Sequence, residues 1–579
     1  MLTPDQKLAL SEGRDVPNLP AEVQDYYKEF FAHAGKDGLL ALNDRLDART
    51  APGPEHPVDT VAASQQTALA SGMLAVTNEH LGTGTTPDGK LVSAGSYTNL
   101  PADVRQLISG REQEYDSPKA NFEANRQCMA DRTRLADLLS HADQDVTGGR
   151  TFSTELARQG ASMAAFIDGV DETGGILPPG FRGDEHDAIK NGAAQFLGVG
   201  LRNHEADYQL LTGLDVNTGT KLPADLSFGA TGNDYATHRN YNPTKFIQTV
   251  INHDWGDGDR GKLASGLYDW TPEHIHDPGA EGELARKTIA ALPDAFAPKH
   301  GASLVVAEDG KTYFQHTVDA FNKNPELANA LARVSASNID AFSQVDHPRG
   351  VAGPAVPLEL DGAERMAFLS SQTHDGRATL DLARQQYENA VLYKLTHGGD
   401  LGGISPHDAV QQLAGLDAHI NNAERNAQIY QTSNEIAHKN EQAQQAHDDK
   451  QQIADTVKGL VDSVPLPGGN ATGAVKSVFE DRACQALMEG INPQPRPETV
   501  QFPSGEKAMM DGAQDFRDLL DQFVKESPPA DPRTIDDFHE TYANQYGRIV
   551  QSNLVKDNGD LEQLIRGGAQ APENPTQKK

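Results

Sequence analysis

Ser405–Val464 reads SPHDAVQQLAGLDAHINNAERNAQIYQTSNEIAHKNEQAQQAHDDKQQIADTVKGLVDSV. Leu413, Leu416, Ile420, Ala423, Ala427 and Tyr430 follow one another in steps of three and four. After a polar middle, Ile453, Val457, Leu460 and Val464 resume the same steps. Such steps keep one apolar stripe on one side of an α-helix. Ser405 suits the N-cap, Pro406 the first helical position, and Asp408 the first turn, where the helix dipole favours a carboxylate. Pro465 and Pro467-Gly468-Gly469 end the run. Unbroken, it predicts a helix roughly 90 Å long at about 1.5 Å per residue. A stripe of that length needs neighbours, so the other helices are expected to pack along it.

Working outward, the same periodicity predicts an all-α protein, an elongated assembly organised on the helix at 405–464. One β-hairpin at most is expected, near 303–314, where Ser303–Val306 and Thr312–Phe314 flank Asp309-Gly310. The N-terminal stretch 1–49 reads as short helices broken between Gly35 and Gly38, followed by a Pro/Gly-rich linker at 50–57. Leu81 to Asn99, rich in Gly, Thr and Ser, reads as a loop. The phrase Leu-Pro-Ala-acid opens a helix at Leu19, Leu100 and Leu222, with Pro in the first turn. Helices are further expected at 120–141, 154–168, 188–211, 317–345 and 361–396. Two amphipathic helices, 506–525 and 534–553, close the chain after the stiff segment Asn492–Pro497. These breaks imply an N-terminal helical domain at 1–115, a central one with polar loops at 120–345, a long-helix bundle at 358–490 and a helical hairpin at 498–566. The tail at 567–579 is expected to be disordered.

Composition narrows the function. The 579 residues carry a formal net charge of −33. Phosphate binding needs a clustered Lys/Arg face, and none is visible, which argues against nucleic acid and against anionic membrane surfaces. The N-terminus lacks the basic and apolar regions of a Sec signal, and no stretch approaches the length of a spanning helix. The sequence reads as soluble, cytoplasmic or exported by a non-Sec route. Cys128 and Cys484, the two cysteines, make neither a disulfide framework nor a zinc site; small core residues or one long-range disulfide are the readings left.

The densest polar region runs from His253-Asp254-Trp255 through Asp257 and Asp259 to Asp269-Trp270, His274, His276 and Asp277. Asp254, Asp257 and Asp259 are the candidate metal ligands, since carboxylates at such spacing can wrap Ca²⁺. Counted from Asp254, however, the sixth position is Asp259 and the twelfth Ser265, so the EF-hand pattern fails. The plainer reading is a polar loop anchored by Trp255 and Trp270. His204-Glu205-x-Asp207 lacks the i, i+4 His pair of a zincin, because Tyr208 stands there. Gly82-Thr83-Gly84 lacks phosphate-loop spacing, and no Gly-x-Ser-x-Gly elbow occurs. No catalytic residue or cofactor is assigned. The apolar positions of 453–479 suggest a hairpin, but Asp455, Lys458, Asp462 and Lys476 interrupt it and stable membrane insertion is not expected.

Several phrases together resemble a known family. These are Leu2-Thr3-Pro4-Asp5-Gln6, Tyr26-Tyr27-x-x-Phe30-Phe31, Gly95-Ser96-Tyr97-x-x-Leu100-Pro101, Asn203-His204-Glu205-Ala206 and His253-Asp254-Trp255. Over about 1–470 the chain resembles the actinobacterial and mycobacterial "TPR repeat region-containing" proteins associated with type VII (ESX) secretion and polymorphic toxins. The resemblance implies protein partners, WXG100-like secretion proteins or a toxin, and export by the type VII route. It departs from the family's habit in beginning after where a WXG100-like module would end and in showing no C-terminal toxin domain. A 34-residue period and the Trp-x-x-Leu-Gly-x-x-Tyr phrase are both missing. The leading expectation is a non-enzymatic helical scaffold or partner-binding protein. A toxin or hydrolase with its site in loops 200–280, and a membrane-active translocation module using 450–480, are the rivals.

Overall fold

The computed structural model describes residues 2–11, 13–50, 59–109, 118–172, 183–222, 242–256, 258–298, 302–307, 309–343, 356–397, 401, 404–433, 505–526 and 533–565. Two compact units emerge, Met1–Leu267 with Pro278–Leu284, and Tyr268–Asp277 with Ala285–Lys579. The expected domain boundaries at 115–120 and 345–358 fall on or beside undescribed segments.

The first unit holds α1 (Pro4–Ser11), α2 (Ala21–Thr50), α3 (Thr60–Thr77), β1 (Gly84–Thr85), β2 (Leu91–Val92), α4 (Ala102–Ser109), α5 (Pro118–Ser140), α6 (Arg150–Glu172), α7 (Gly183–Gly200), α8 (His204–Thr212), α9 (Pro243–Asn252) and α10 (Lys262–Ser265). The Leu-Pro-Ala signal works as expected twice: α2 opens after Pro20 and α4 after Pro101. The expected break at Gly35 is a kink inside α2, where Gly35 takes φ 55° and ψ −172°. Asp103 accepts a 2.7 Å hydrogen bond from the Lys36 amide and so caps the second half of α2 from another helix. Phe152, Leu156 and Met163 of α6 are buried with Phe196 and Leu197 of α7. Gly160 and Gly200 line this crossing, and a Cβ on Gly200 would stand 2.9 Å from Ala157. Small residues there let the backbones approach, which places these bulky side chains in one shared core.

The second unit holds α11 (Thr271–His274), α13 (Tyr313–Lys323), α14 (Pro325–Ser337), α15 (Leu360–Ser370), α16 (His374–His397), α17 (Pro406–Ser433), α18 (Gly505–Glu526) and α19 (Arg533–Ile565), while α12 (Ala280–Phe296) contributes residues to both units. Its centre is α17, the organising helix of the sequence. Leu413, Leu416, Ile420 and Ala427 are fully buried there, packed against α15, α16 and α19. Ser405 caps it as expected, its Oγ accepting from the Asp408 amide at 3.1 Å. The helix is described to Ser433; its expected continuation to Val464, the 453–479 hairpin and the 567–579 tail lie outside the described residues. Phe314, Phe321, Phe342 and Phe368 fill the core beside the stripe.

The fold is all-α, with two corrections to the expected detail. First, the hairpin at 303–314 shrinks to a single bridge, Val306 to Thr312. Thr312 is the N-cap of α13 and forms a capping box with Gln315, so the chain enters a helix where a second strand was expected. The two-stranded ladder lies instead at Gly84–Thr85 and Leu91–Val92, inside the stretch read as loop. Second, helices expected to be continuous are broken at caps: 188–211 at Asn203, whose Oδ1 accepts from Ala206 N, and 361–396 at Thr373, whose Oγ1 accepts from Gly376 N. Both side chains compete with the helical ladder for nearby amides.

Candidate functional site

Two of the phrases that carry the family resemblance, Gly95-Ser96-Tyr97 and Asn203-His204-Glu205-Ala206, meet near the C-terminal end of α3. Val16 and Leu81 form a parallel bridge. Gly82 donates to the Val16 carbonyl at 2.9 Å, and Gly95 to that of Leu81 at 3.0 Å. Gly95 needs to be glycine, since a Cβ there would lie 2.2 Å from the Asn78 carbonyl oxygen. Asn78 donates to Thr147 O at 3.0 Å, and Asn203 to Gly148 O at 2.9 Å. Glu79 accepts from the Arg150 amide at 3.0 Å and so caps α6. Short polar residues and glycines thus tie four segments, far apart in sequence, to one helix end.

Charged groups complete this knot. The His80 ring stands 2.8 Å from Asp15 by Nδ1 and 3.7 Å from Glu205 by Nε2. Arg150 Nη1 donates to the same Glu205 oxygen at 3.2 Å. The Glu205 carboxylate beside it is the main reason the His80 imidazolium persists to a pKa of about 9, burial opposing it and Asp15 assisting. Burial would raise the Glu205 carboxyl, but His80 and Arg150 beside it hold it below its ordinary value. His204 of the same phrase pairs through Nδ1 with Glu281. Each ring faces a carboxylate, so the geometry joins separate segments through histidine–carboxylate contacts. A doubly flanked imidazolium with that pKa carries its proton at neutral pH and makes a poor general base.

The candidate metal ligands are used differently. Asp254 accepts from the Gly256 amide and pairs with Lys190 at 3.1 Å. Asp259 accepts from the amides of Gly261 and Leu263, both at 3.0 Å, at the start of α10. Asp257 lies outside the described residues. The spacing that suggested a cation loop serves turn and helix capping at the two described positions. His253, 2% exposed, sets its ring against Trp255 at 4.5 Å and its Nδ1 2.7 Å from Asp168, fixing the end of α9 on α6. Trp255 is buried with its indole N–H on Val250 O at 2.8 Å. Trp270 is buried in the second unit, so both tryptophans are packing anchors as expected.

Two features escaped sequence reading. One is a cluster of Asp47, Asp137 and His141, each able to offer a ligand atom within 4.8 Å of the others. Its signal was the i, i+4 spacing of Asp137, in the last turn of α5, and His141, just past that helix, with Asp47 ninety residues before Asp137 in sequence. The other is an uncovered face on the first half of α2. Val23 and Tyr26 are 43% and 61% exposed. Phe30 lies one turn on, half-buried, with its ring 6.1 Å from that of Tyr26. Glu22, Asp25 and Glu29 border it in solvent.

No described helix is long and apolar enough to cross a membrane. No curated protein and no solved structure matches the chain. Residues 1–270 match the family described as a TPR repeat domain, a span that takes in the whole helix-end knot except Glu281. Helices within that span run from 4 to 30 residues, so the match rests on sequence pattern and not on uniform helical hairpins.

Proposed function

We propose that this protein is a non-enzymatic helical scaffold that binds protein partners of a type VII secretion or toxin-delivery locus. The observation that carries this reading is the uncovered Val23-Tyr26-Phe30 face with its acidic border. An apolar, aromatic ladder at steps of three and four suits a partner helix laid alongside it, and exposed aromatic anchors of this kind dominate interface energetics. Glu22, Asp25 and Glu29 favour a partner whose own apolar stripe is flanked by Lys and Arg. TPR repeat domains generally mediate protein–protein contacts, which supports the scaffold role, and the family phrases support the secretion setting. WXG100-like helical proteins and a co-encoded toxin are the partner classes this implies.

A photo-crosslinking residue placed at Tyr26, in the native host, tests it. The expected result is an adduct with a small helical protein or toxin encoded nearby, recovered from lysate or culture filtrate. The same probe at exposed Lys90 is expected to give none, and Tyr26→Ser with Phe30→Ser is expected to abolish binding while circular dichroism stays unchanged. Equal adducts from both positions refute the face. Metal-dependent turnover lost in Asp254→Ala refutes the non-enzymatic role.

A further inference from the structure

We propose that Asp47, Asp137 and His141 bind one divalent first-row transition ion of the Zn²⁺ or Mn²⁺ class, clamping α2 to α5 in the first unit. Asp137 lies in the last turn of α5 and His141 follows directly after its end, four residues on, while Asp47 opposes them from the second half of α2. His141 Nε2 and Asp47 Oδ1 are 3.8 Å apart. Donors about 2.1 Å from a tetrahedral ion lie about 3.4 Å from one another, so side-chain torsions alone close the gap.

The surroundings are those of a supported ligand set. Asn43, 1% exposed, donates from one amide nitrogen to Asp47 Oδ2 and to Asp137 Oδ2, both at 2.9 Å. Gln66 of α3, also 1% exposed, donates to Asp47 Oδ1. Two buried carboxamides from two helices therefore hold both carboxylates in place, as outer-shell groups do around metal ligands. Charge is what they do not supply. Lys36 pairs with Asp131 at 2.7 Å, and Arg134 pairs with Asp44. Among the described residues no Lys or Arg reaches Asp47 or Asp137. The Asp47 and Asp137 carboxylates share the one Asn43 amide nitrogen, so two acidic groups stand side by side. A dication at this point removes the repulsion that the amides tolerate.

Ligand chemistry selects the ion. One imidazole nitrogen and two carboxylate oxygens suit Zn²⁺, Mn²⁺, Fe²⁺ or Co²⁺ better than Ca²⁺ or Mg²⁺, which prefer all-oxygen shells. Asp47 and His141 keep 38% and 36% of their side chains in solvent. That opening admits the ion and leaves room for water at the remaining positions.

The full-length protein, stripped with chelator, is titrated with Zn²⁺ and with Mn²⁺ by calorimetry and followed by thermal melting. One saturable site per chain is expected, with a rise in melting temperature. At free ion a hundred times Kd, the folding equilibrium should shift about a hundredfold. His141→Ala and Asp137→Asn should each weaken binding at least tenfold, and Asp254→Asn should leave it unchanged. Co²⁺ should show visible d–d absorption that His141→Ala alters. Should His141→Ala fail to fold, Asp137→Asn, nearly isosteric, carries the test. Absence of saturable binding by either ion overturns the site, as does 1:1 binding unchanged in both variants.

Discussion

Replacing Arg384 should expose how the second unit tolerates its buried charge. Arg384 of α16 donates to Asp417 of α17 at 2.6 Å and to Asp381 at 3.0 Å, with Glu388 at 3.4 Å. Glu388 and Asp417 side chains are only 2% and 8% exposed. Burial pushes Glu388 up to about 8, with Arg384 the chief opposing influence. Glu388 is therefore mostly protonated at pH 7, and Asp417 is the buried side chain that Arg384 contacts most closely. In Arg384→Met the Asp417 side chain keeps the Asn421 amide, 2.8 Å from its Oδ1, and must either be buried as an anion without its cation or be protonated. Protonating a carboxyl of ordinary pKa about 4 at pH 7 costs about 1.4 kcal/mol for each of three units, about 4 kcal/mol. That agrees with the 3–5 kcal/mol lost when one partner of a buried pair is removed. At pH 5 the same step costs about 1.4 kcal/mol, so the destabilisation should shrink by roughly 3 kcal/mol.

The assay uses the two tryptophans. In a Trp255→Phe background, Trp270 reports on the second unit alone, and urea unfolding followed by its fluorescence gives the stability difference at each pH. Adding Asp417→Asn and Glu388→Gln to Arg384→Met should recover most of the loss, because the two nearly buried carboxyl groups are then neutral and the remaining Asp381 is 39% exposed. A loss under about 1 kcal/mol at pH 7, or one that does not diminish at pH 5, would refute the charge assignment.

Other outcomes follow from the same geometry. Glu388 and Glu424 are both raised to about 8, chiefly by burial. The folded second unit then holds protons that the unfolded chain releases above about 4.5, so its stability should fall as pH rises from 5 to 8 in Trp270-detected melts. His80 behaves alike in a higher window: its stabilisation is complete below about 6.5 and lost as pH passes its folded pKa of about 9. With its side chain 28% exposed, about 2 kcal/mol should disappear across that range, and His80→Gln should flatten the profile measured through Trp255. Gly149→Ala should cost the first unit about 3 kcal/mol in urea unfolding, since its Cβ would sit 2.0 Å from Thr77 O. Gly169→Ala should instead stabilise by about 0.5–1 kcal/mol, because a Cβ within α6 there meets nothing within 4 Å.

What sequence could reveal divides by the range of the physics involved. The stripe on α17, its Ser405 cap and the break at Gly35 are local: spacing, a side chain's reach to the third amide on, and glycine's tolerance of positive φ are written within a turn or two. Each was legible for that reason. The knot at Asn78–His80 is not local. Gly95 reads as one more loop glycine until the Asn78 carbonyl is seen 2.2 Å from its missing Cβ. Glu79 caps a helix whose first residue lies seventy-one positions on. Close carboxylates such as Asp254 and Asp259 satisfy neighbouring amides as readily as cations, so their spacing alone does not distinguish the two uses. Asp137 and His141 were half legible, their i, i+4 spacing being local and Asp47 remote. The uncovered face at Tyr26 inverts the problem: periodicity finds an apolar stripe but is silent on whether the chain itself covers it. A stripe left bare by its own fold is therefore where sequence and structure together say more about partners than either does alone.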